Sequence, residues 1–214
     1  MAEVHILTYN PFQENTLVIE SGGECVVIDP GAYSPEEKKD FENFLEERSA
    51  KVVRLLNTHC HLDHIFSNGL IAEKYRLDLE IHPEEKGMLK AAPQIGQSYG
   101  IPTDSSPEPG KWLQPGDFIE FGEERLKILF TPGHSPGSVS FYSEKGQYLI
   151  SGDVLFYESI GRTDLPGGDF DTLMASIKNE LLPLPDEIVV YPGHGPVTSI
   201  GHERRHNPFI RQYL

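Results

Sequence analysis

The sequence predicts an α/β fold in which strands deliver polar side chains to one edge, and three observations carry that prediction. Apolar runs of strand length recur, and four of them finish in a turn that carries histidine or aspartate. Residues 52–56 run into Asn57-Thr58-His59-Cys60-His61-Leu62-Asp63-His64, and 126–130 into Thr131-Pro132-Gly133-His134. Residues 148–150 run into Ser151-Gly152-Asp153, and 188–190 into Tyr191-Pro192-Gly193-His194. Stretches of helical period with capping chemistry separate these strands. The length of 214 residues, 38% of them hydrophobic, suits one substantial domain over 1–214.

Taken in order, residues 4–7, 16–20 and 25–29 read as short strands, the last two joined by the turn-prone Ser21-Gly22-Gly23. Ser34-Pro35-Glu36-Glu37 starts a helix, with Ser34 as cap, proline in the first turn and acids near the positive helix end. Phe41, Phe44 and Leu45 form its buried face. Leu70, Ile71 and Tyr75 put a second helix over about 67–76. Residues 79–81 are a short strand, and Pro83-Glu84-Glu85 opens a helix reaching about residue 91. From 93 to 110 the chain carries Pro93, Pro102, Pro107 and Pro109, which reads as a long ordered loop or lid. Its Tyr99 and Ile101 either close over a substrate or pin the loop to the surface. A second set of strands follows at 117–121, 126–130, 138–142 and 148–150, and a helix over 169–182 buries Leu173, Ile177 and Leu181.

The densest chemistry lies in 59–64. In an extended segment side chains alternate faces, so His59 and His61 point the same way and can share one ion. Asp63 and His64 follow where the chain turns and face a neighbouring point. Imidazole nitrogens and carboxylate oxygens suit zinc, iron or manganese, whereas calcium takes oxygens only. A lone histidine would read as a hydrogen-bonded loop residue; this clustering points to metal. Cys60 faces the other way and is expected to pack, and His82, beside Pro83, is expected to be a loop residue. His202 and His206, four apart, can share a helix face, for which a structural role is favoured.

The run His59-x-His61-x-Asp63-His64 resembles the signature of the metallo-β-lactamase-fold hydrolases, and His134, Asp153 and His194 follow in matching order. Within that superfamily the chain resembles the glyoxalase II group, the hydroxyacylglutathione hydrolases, in a short bacterial-type branch, from Asn10 to Phe209. The resemblance implies a four-layer αββα sandwich with the metal site at the strand ends on one edge. It also implies two divalent ions, zinc first and iron or manganese next. His59, His61 and His134 would hold one, Asp63, His64 and His194 the other, and Asp153 would bridge them. Hydroxide shared by the ions would attack an acyl-thioester such as S-lactoylglutathione, releasing lactate and glutathione. Asp63 and Asp153 are the implied catalytic carboxylates, and Asp63 would orient the hydroxide. A thiol leaving group, with a pKa of about 8.5, needs little help from a general acid.

Residues 156–169 look like the segment after the bridging aspartate in that branch, where a basic residue stands near substrate. Arg162 is therefore a candidate anion contact, with an internal pair to Asp164 or Asp169 as the equal alternative. Tyr157 and Tyr99 complete the candidate substrate contacts. The C-terminal helical extension of longer glyoxalase II enzymes has no counterpart, so the acyl-thioester class is a safer expectation than glutathione itself. Gly161-Arg162-Thr163-Asp164 also resembles mononuclear iron persulfide dioxygenases, which would use only His59, His134 and Asp153. A β-lactamase is disfavoured, because the commonest zinc forms carry cysteine where Asp153 stands.

The formal charge of −15 disfavours a nucleic-acid partner, which would call for a basic stripe. No apolar run approaches the roughly 20 residues of a membrane span, and the N-terminus has no signal pattern. A soluble, cytoplasmic enzyme with a small-molecule partner and no membrane partner is expected; nothing in the sequence specifies its oligomeric state. Cys25 and Cys60 imply no disulfide framework.

Overall fold

In the computed structural model, which describes residues 2–213, the first sheet grows from a meander. Strands β1 (Glu3–Tyr9), β2 (Glu14–Ser21) and β3 (Glu24–Ile28) pair antiparallel, turning at Gly22 and Gly23, whose φ angles of +56° and +82° suit glycine. Strands β4 (Lys51–Leu56), β5 (Leu79–Ile81) and β6 (Pro109–Trp112) extend the sheet in parallel. Parallel pairing needs crossovers, and helices α1 (Pro35–Glu46), α2 (Asn68–Tyr75) and α3 (Lys86–Ser98) supply them. Helix α1 begins as expected: the Ser34 side chain accepts from the Glu37 N–H and Glu37 reaches back to the Ser34 N–H. Phe41 and Leu45 are buried and Phe44 half-buried against the sheet core of Val18, Val27, Leu55 and Leu79.

Two expectations are corrected here. Helix α3 does not stop near 91 but runs through Pro93 to Ser98, and Pro109 opens a strand. The expected loop therefore shrinks to 99–108. Pro93 cannot donate to the Leu89 carbonyl, yet one face of the helix buries Leu89, Ala92 and Gly96, and that packing outweighs the missing bond.

The chain forms two compact units, the first reaching Leu113 and including Glu120–Glu124, the second comprising Gln114–Ile119 and the remainder from Arg125. The second sheet has the order β14-β13-β10-β9-β8-β7. Its strands are β7 (Phe118–Phe121), β8 (Glu124–Phe130), β9 (Val139–Ser143), β10 (Tyr148–Gly152), β13 (Val189–Pro192) and β14 (Thr198–Ser199). Between β10 and β13 the chain makes a small hairpin, β11 (Leu155–Phe156) and β12 (Ser159–Ile160), and then helix α4 (Phe170–Ser176), capped by Asp169 and continued by a wider turn over Ile177–Leu181. Leu173, Ile177 and Leu181 are buried, as the fourfold spacing required. Helices α5 (Ile200–His206) and α6 (Pro208–Tyr213) close the chain. Two mixed sheets with helices are thus the α/β class the strand pattern predicts. No helix among the described residues is long and apolar enough to cross a membrane.

Candidate metal centre

In the first unit, parallel pairing of β3 with β4 brings Asp29 and Asn57 out at the same edge, where the Asp29 N–H donates to the Leu56 carbonyl at 3.0 Å. Beyond Leu56 the chain bends at Thr58, is extended at His61 and then makes one tight turn, Leu62–His64. The His59 and His61 rings lie 4.8 Å apart, as their shared side requires, and the His64 ring comes within 4.1 Å of His59. Asp63 Oδ2 is 3.8 Å from His64 Nε2.

Asp29 supports these side chains through hydrogen bonds. Its Oδ1 accepts from the Thr58 N–H at 2.7 Å and from Asn57 Nδ2 at 3.3 Å; its Oδ2 accepts from the Thr58 hydroxyl at 2.5 Å and sits 3.2 Å from His64 Nδ1. A buried carboxylate only accepts, so His64 Nδ1 carries the proton. The Thr58 hydroxyl spends its hydrogen on Asp29, so its oxygen accepts from His59 Nδ1 at 3.0 Å. Both imidazoles thereby keep Nε2 as the lone-pair nitrogen, the tautomer a metal ligand needs. The loop backbone is held as well: Asn10 Nδ2 donates to the Asp63 carbonyl at 3.0 Å, Asn57 Nδ2 to the His64 carbonyl at 3.0 Å, and the Cys60 N–H to Glu85 Oε2 at 2.7 Å.

In the second unit, β9 runs antiparallel to both β8 and β10, and β10 runs parallel to β13, so β8, β10 and β13 end at one edge. Those ends carry His134, Asp153 and His194. Asp153 Oδ2 lies 3.4 Å from His134 Nε2 and 3.5 Å from His194 Nε2. Hydrogen bonds of this kind sit at about 2.7–3.2 Å. Two ligands of one tetrahedral ion at about 2.0–2.2 Å lie roughly 3.4 Å apart. The observed spacing is longer than those hydrogen bonds and compatible with two ligands of one ion. His134 Nδ1 donates to the Arg162 carbonyl at 2.8 Å, again leaving Nε2 for metal. That carbonyl reaches the ring because residue 161 is glycine: a Cβ there would overlap the Asp153 carbonyl oxygen and crowd His134 Nδ1.

The Arg162 guanidinium makes a two-pronged, exposed pair with Asp164 at 2.7 and 2.8 Å, the internal alternative considered above. Tyr157, 46% exposed, stacks on His202 at 4.9 Å. Tyr99, 67% exposed, ends helix α3. Cys60 is fully buried in the first core, where burial holds its thiol well above the ordinary range, and His82 caps the turn before α3. The His202 and His206 rings share a face, 4.7 Å apart. Asp29, Thr58, Glu85 and the Arg162 carbonyl are the functional groups that sequence reasoning missed.

A family model described as the metallo-beta-lactamase superfamily matches residues 9–194, and the chain belongs to that superfamily, as a metallo-hydrolase of its α/β fold. Over 210 residues, 97% of both chains, it is 34% identical to a Haemophilus influenzae protein described as hydroxyacylglutathione hydrolase GloC. Two solved structures are similar at higher identity. BLEG-1, described as a B3 metallo-beta-lactamase, matches with a TM-score of 0.88 and 36% identity over 98% of this chain and 99% of that one. TTHA1623 in a di-iron-bound form matches with a TM-score of 0.87 and 37% identity over 96% of this chain and 100% of that one.

Proposed function

We propose that this chain is a dinuclear, metal-dependent thioester hydrolase of the hydroxyacylglutathione type. His59, His61 and His134 would hold one divalent ion and Asp63, His64 and His194 a second, with Asp153 as a further ligand; zinc is the first candidate, iron or manganese the next. The observation that carries the reading is the orientation of three imidazoles. His59, His64 and His134 each direct Nδ1 to a chain oxygen and keep Nε2 for a ligand role. Such ions, when bound, bring the pKa of a shared water to about 7 and polarise an acyl carbonyl.

The chain's own contribution is to orient and to accept. Asp29 and the Arg162 carbonyl fix the ligand tautomers. Asp63, half-buried at the loop turn, accepts a hydrogen bond from the attacking water and aims it. No side chain is required to protonate a departing thiol, whose pKa of about 8.5 makes it a competent leaving group. Support for a small glutathione-linked partner comes from the likeness to GloC, and the strong negative charge argues against nucleic acid. Arg162 can leave Asp164 for a substrate carboxylate at little cost, since solvent screens an exposed pair. Tyr157 and Tyr99 offer exposed rings for the remainder of the substrate.

The likeness to BLEG-1 favours a second reading, opening of a β-lactam amide by the same seven side chains. One experiment separates them: metal content per chain by mass spectrometry on protein purified without added metal, with thiol release from S-lactoylglutathione and ring opening of a β-lactam followed in parallel. Close to two metals with thiol release supports the proposal. Ring opening without thiol release selects the second reading. One iron per chain, no thiol release and oxygen uptake with a glutathione persulfide would refute both.

A further inference from the structure

Glu203 is a buried carboxylate held by neutral donors. It is fully buried, and Thr198 Oγ1 donates to its Oε1 at 2.6 Å. Its Oε2 accepts from Asn207 Nδ2 at 2.8 Å and from the backbone N–H of Glu158 at 3.0 Å. Asn207, also fully buried, donates from the same nitrogen to the Ser159 carbonyl at 2.9 Å. Glu158 and Ser159 form the turn and return of the β11–β12 hairpin, and Glu158 holds a φ of +51°, uncommon for a residue with a side chain. With two residues per strand, such a hairpin does not hold its shape alone.

That hairpin joins two functional groups. It leaves directly from Asp153 and returns through Gly161, whose N–H donates to the Val154 carbonyl at 3.3 Å, to Arg162, whose carbonyl orients His134. We propose that Glu203, acting with Asn207, is a positioning residue for the metal centre. By pinning the hairpin turn it fixes both the Asp153 ligand at one base and the carbonyl that sets the His134 tautomer at the other. This rests on the metal assignment above for its consequence, and on the hydrogen bonds alone for the bracing.

The test uses the full chain with Glu203→Ala, Glu203→Gln, Asn207→Ala and, as a control for general destabilisation of the same core, Leu181→Ala. Two readouts are taken: amide hydrogen exchange over 154–161 in metal-free protein, and Co²⁺ affinity by competition with a chelator, with the Co²⁺ absorption spectrum reporting ligand geometry. Glu203→Ala is expected to lose protection in the hairpin and at least about tenfold in Co²⁺ affinity, the scale for removing a ligand's outer support. Glu203→Gln should recover most of both, because its amide oxygen accepts from Glu158 and Asn207 while its amide NH₂ donates to the Thr198 oxygen. Leu181→Ala should lower Tm with hairpin protection and affinity retained. Wild-type protection and affinity in Glu203→Ala would overturn the proposal, as would an equal affinity loss in Leu181→Ala. If Glu203→Ala does not fold, Asn207→Ala decides, and an unchanged hairpin and affinity there would refute it. Failure of wild-type protein to bind Co²⁺ would instead sink the metal assignment, leaving the exchange data to judge the bracing.

Discussion

Asp29→Asn changes hardly any volume and reverses one edge of a hydrogen-bond pattern. With the amide oxygen in place of Oδ1, the contacts to the Thr58 N–H and Asn57 survive. The amide NH₂ then faces the Thr58 hydroxyl and His64 Nδ1, where the carboxylate accepted both. Thr58 must turn its hydrogen away, and His64 must accept at Nδ1, which moves its proton to Nε2, the nitrogen assigned to metal. Flipping the amide only transfers the donor–donor conflict to the Thr58 N–H. Charge-assisted bonds of this type contribute about 1.5–3 kcal/mol each. Relaxation recovers part of that, so the expected loss is about 2–3 kcal/mol in metal binding, near the upper end of the about 10–100-fold range for outer partners. Thr58→Val, which removes the acceptor for His59 and one donor to Asp29 but keeps the Asp29–His64 contact, should lose about tenfold, and the double variant less than the sum, because both act in one network. Competition of the variants against a chelator for Zn²⁺ or Co²⁺, with Tm of the metal-free forms as the folding control, reads the effect. Asp29→Asn protein that binds metal within a factor of two of wild type would refute the reasoning.

Gly161→Ala places a methyl on the Asp153 carbonyl and beside His134 Nδ1, so metal content and kcat/KM should both collapse while far-UV circular dichroism persists; normal metal loading would count against the close approach. Neither thiol should react in the native state: burial pushes Cys25 up to about 12 and Cys60 higher than its ordinary value as well. A disulfide reagent at pH 8 should detect both thiols only after denaturation, and rapid native labelling would contradict the packing. The Arg162 guanidinium holds Asp164 at about 2, below the unfolded value of about 3.9. The pair's small contribution is therefore complete above about pH 4 and fades as pH falls towards 2. The Tm gap between wild type and Asp164→Asn should close over that window, and a gap independent of pH would show that the charge pair is not its source.

How much of the site was legible follows from how each residue acts. His134, Asp153 and His194 could be read because each stands at the end of its own apolar strand, where local pattern and three-dimensional position coincide. The order of the strands in each sheet could not, since pairing such as β10 with β13 joins segments about forty residues apart and depends on what lies between. Helix α3 departs from the local pattern for the opposite reason: Pro93 is a strong local signal, overridden by packing that no local window contains. Arg162 carried a basic charge that drew attention to its guanidinium, while the group that meets His134 is its backbone carbonyl, which any residue type would provide.

Asp29 is the instructive miss. It ends an apolar strand, as the other strand-end residues do, but proline and glycine follow it, whereas in 131–134 and 191–194 they precede the histidine. Treating it as one more member of that series would have placed it at the sheet edge beside Asn57. It would not have separated a ligand from a ligand's support, because carboxylates serve both tasks with the same oxygens. That distinction comes from saturation: Asp29 accepts from Thr58 twice, from Asn57 and from His64, whereas Asp153 meets two imidazole Nε2 atoms at ligand spacing. A carboxylate filled by protein donors steadies the site, whereas under the proposed function Asp153, facing His134 Nε2, takes up its role when a cation stands between them.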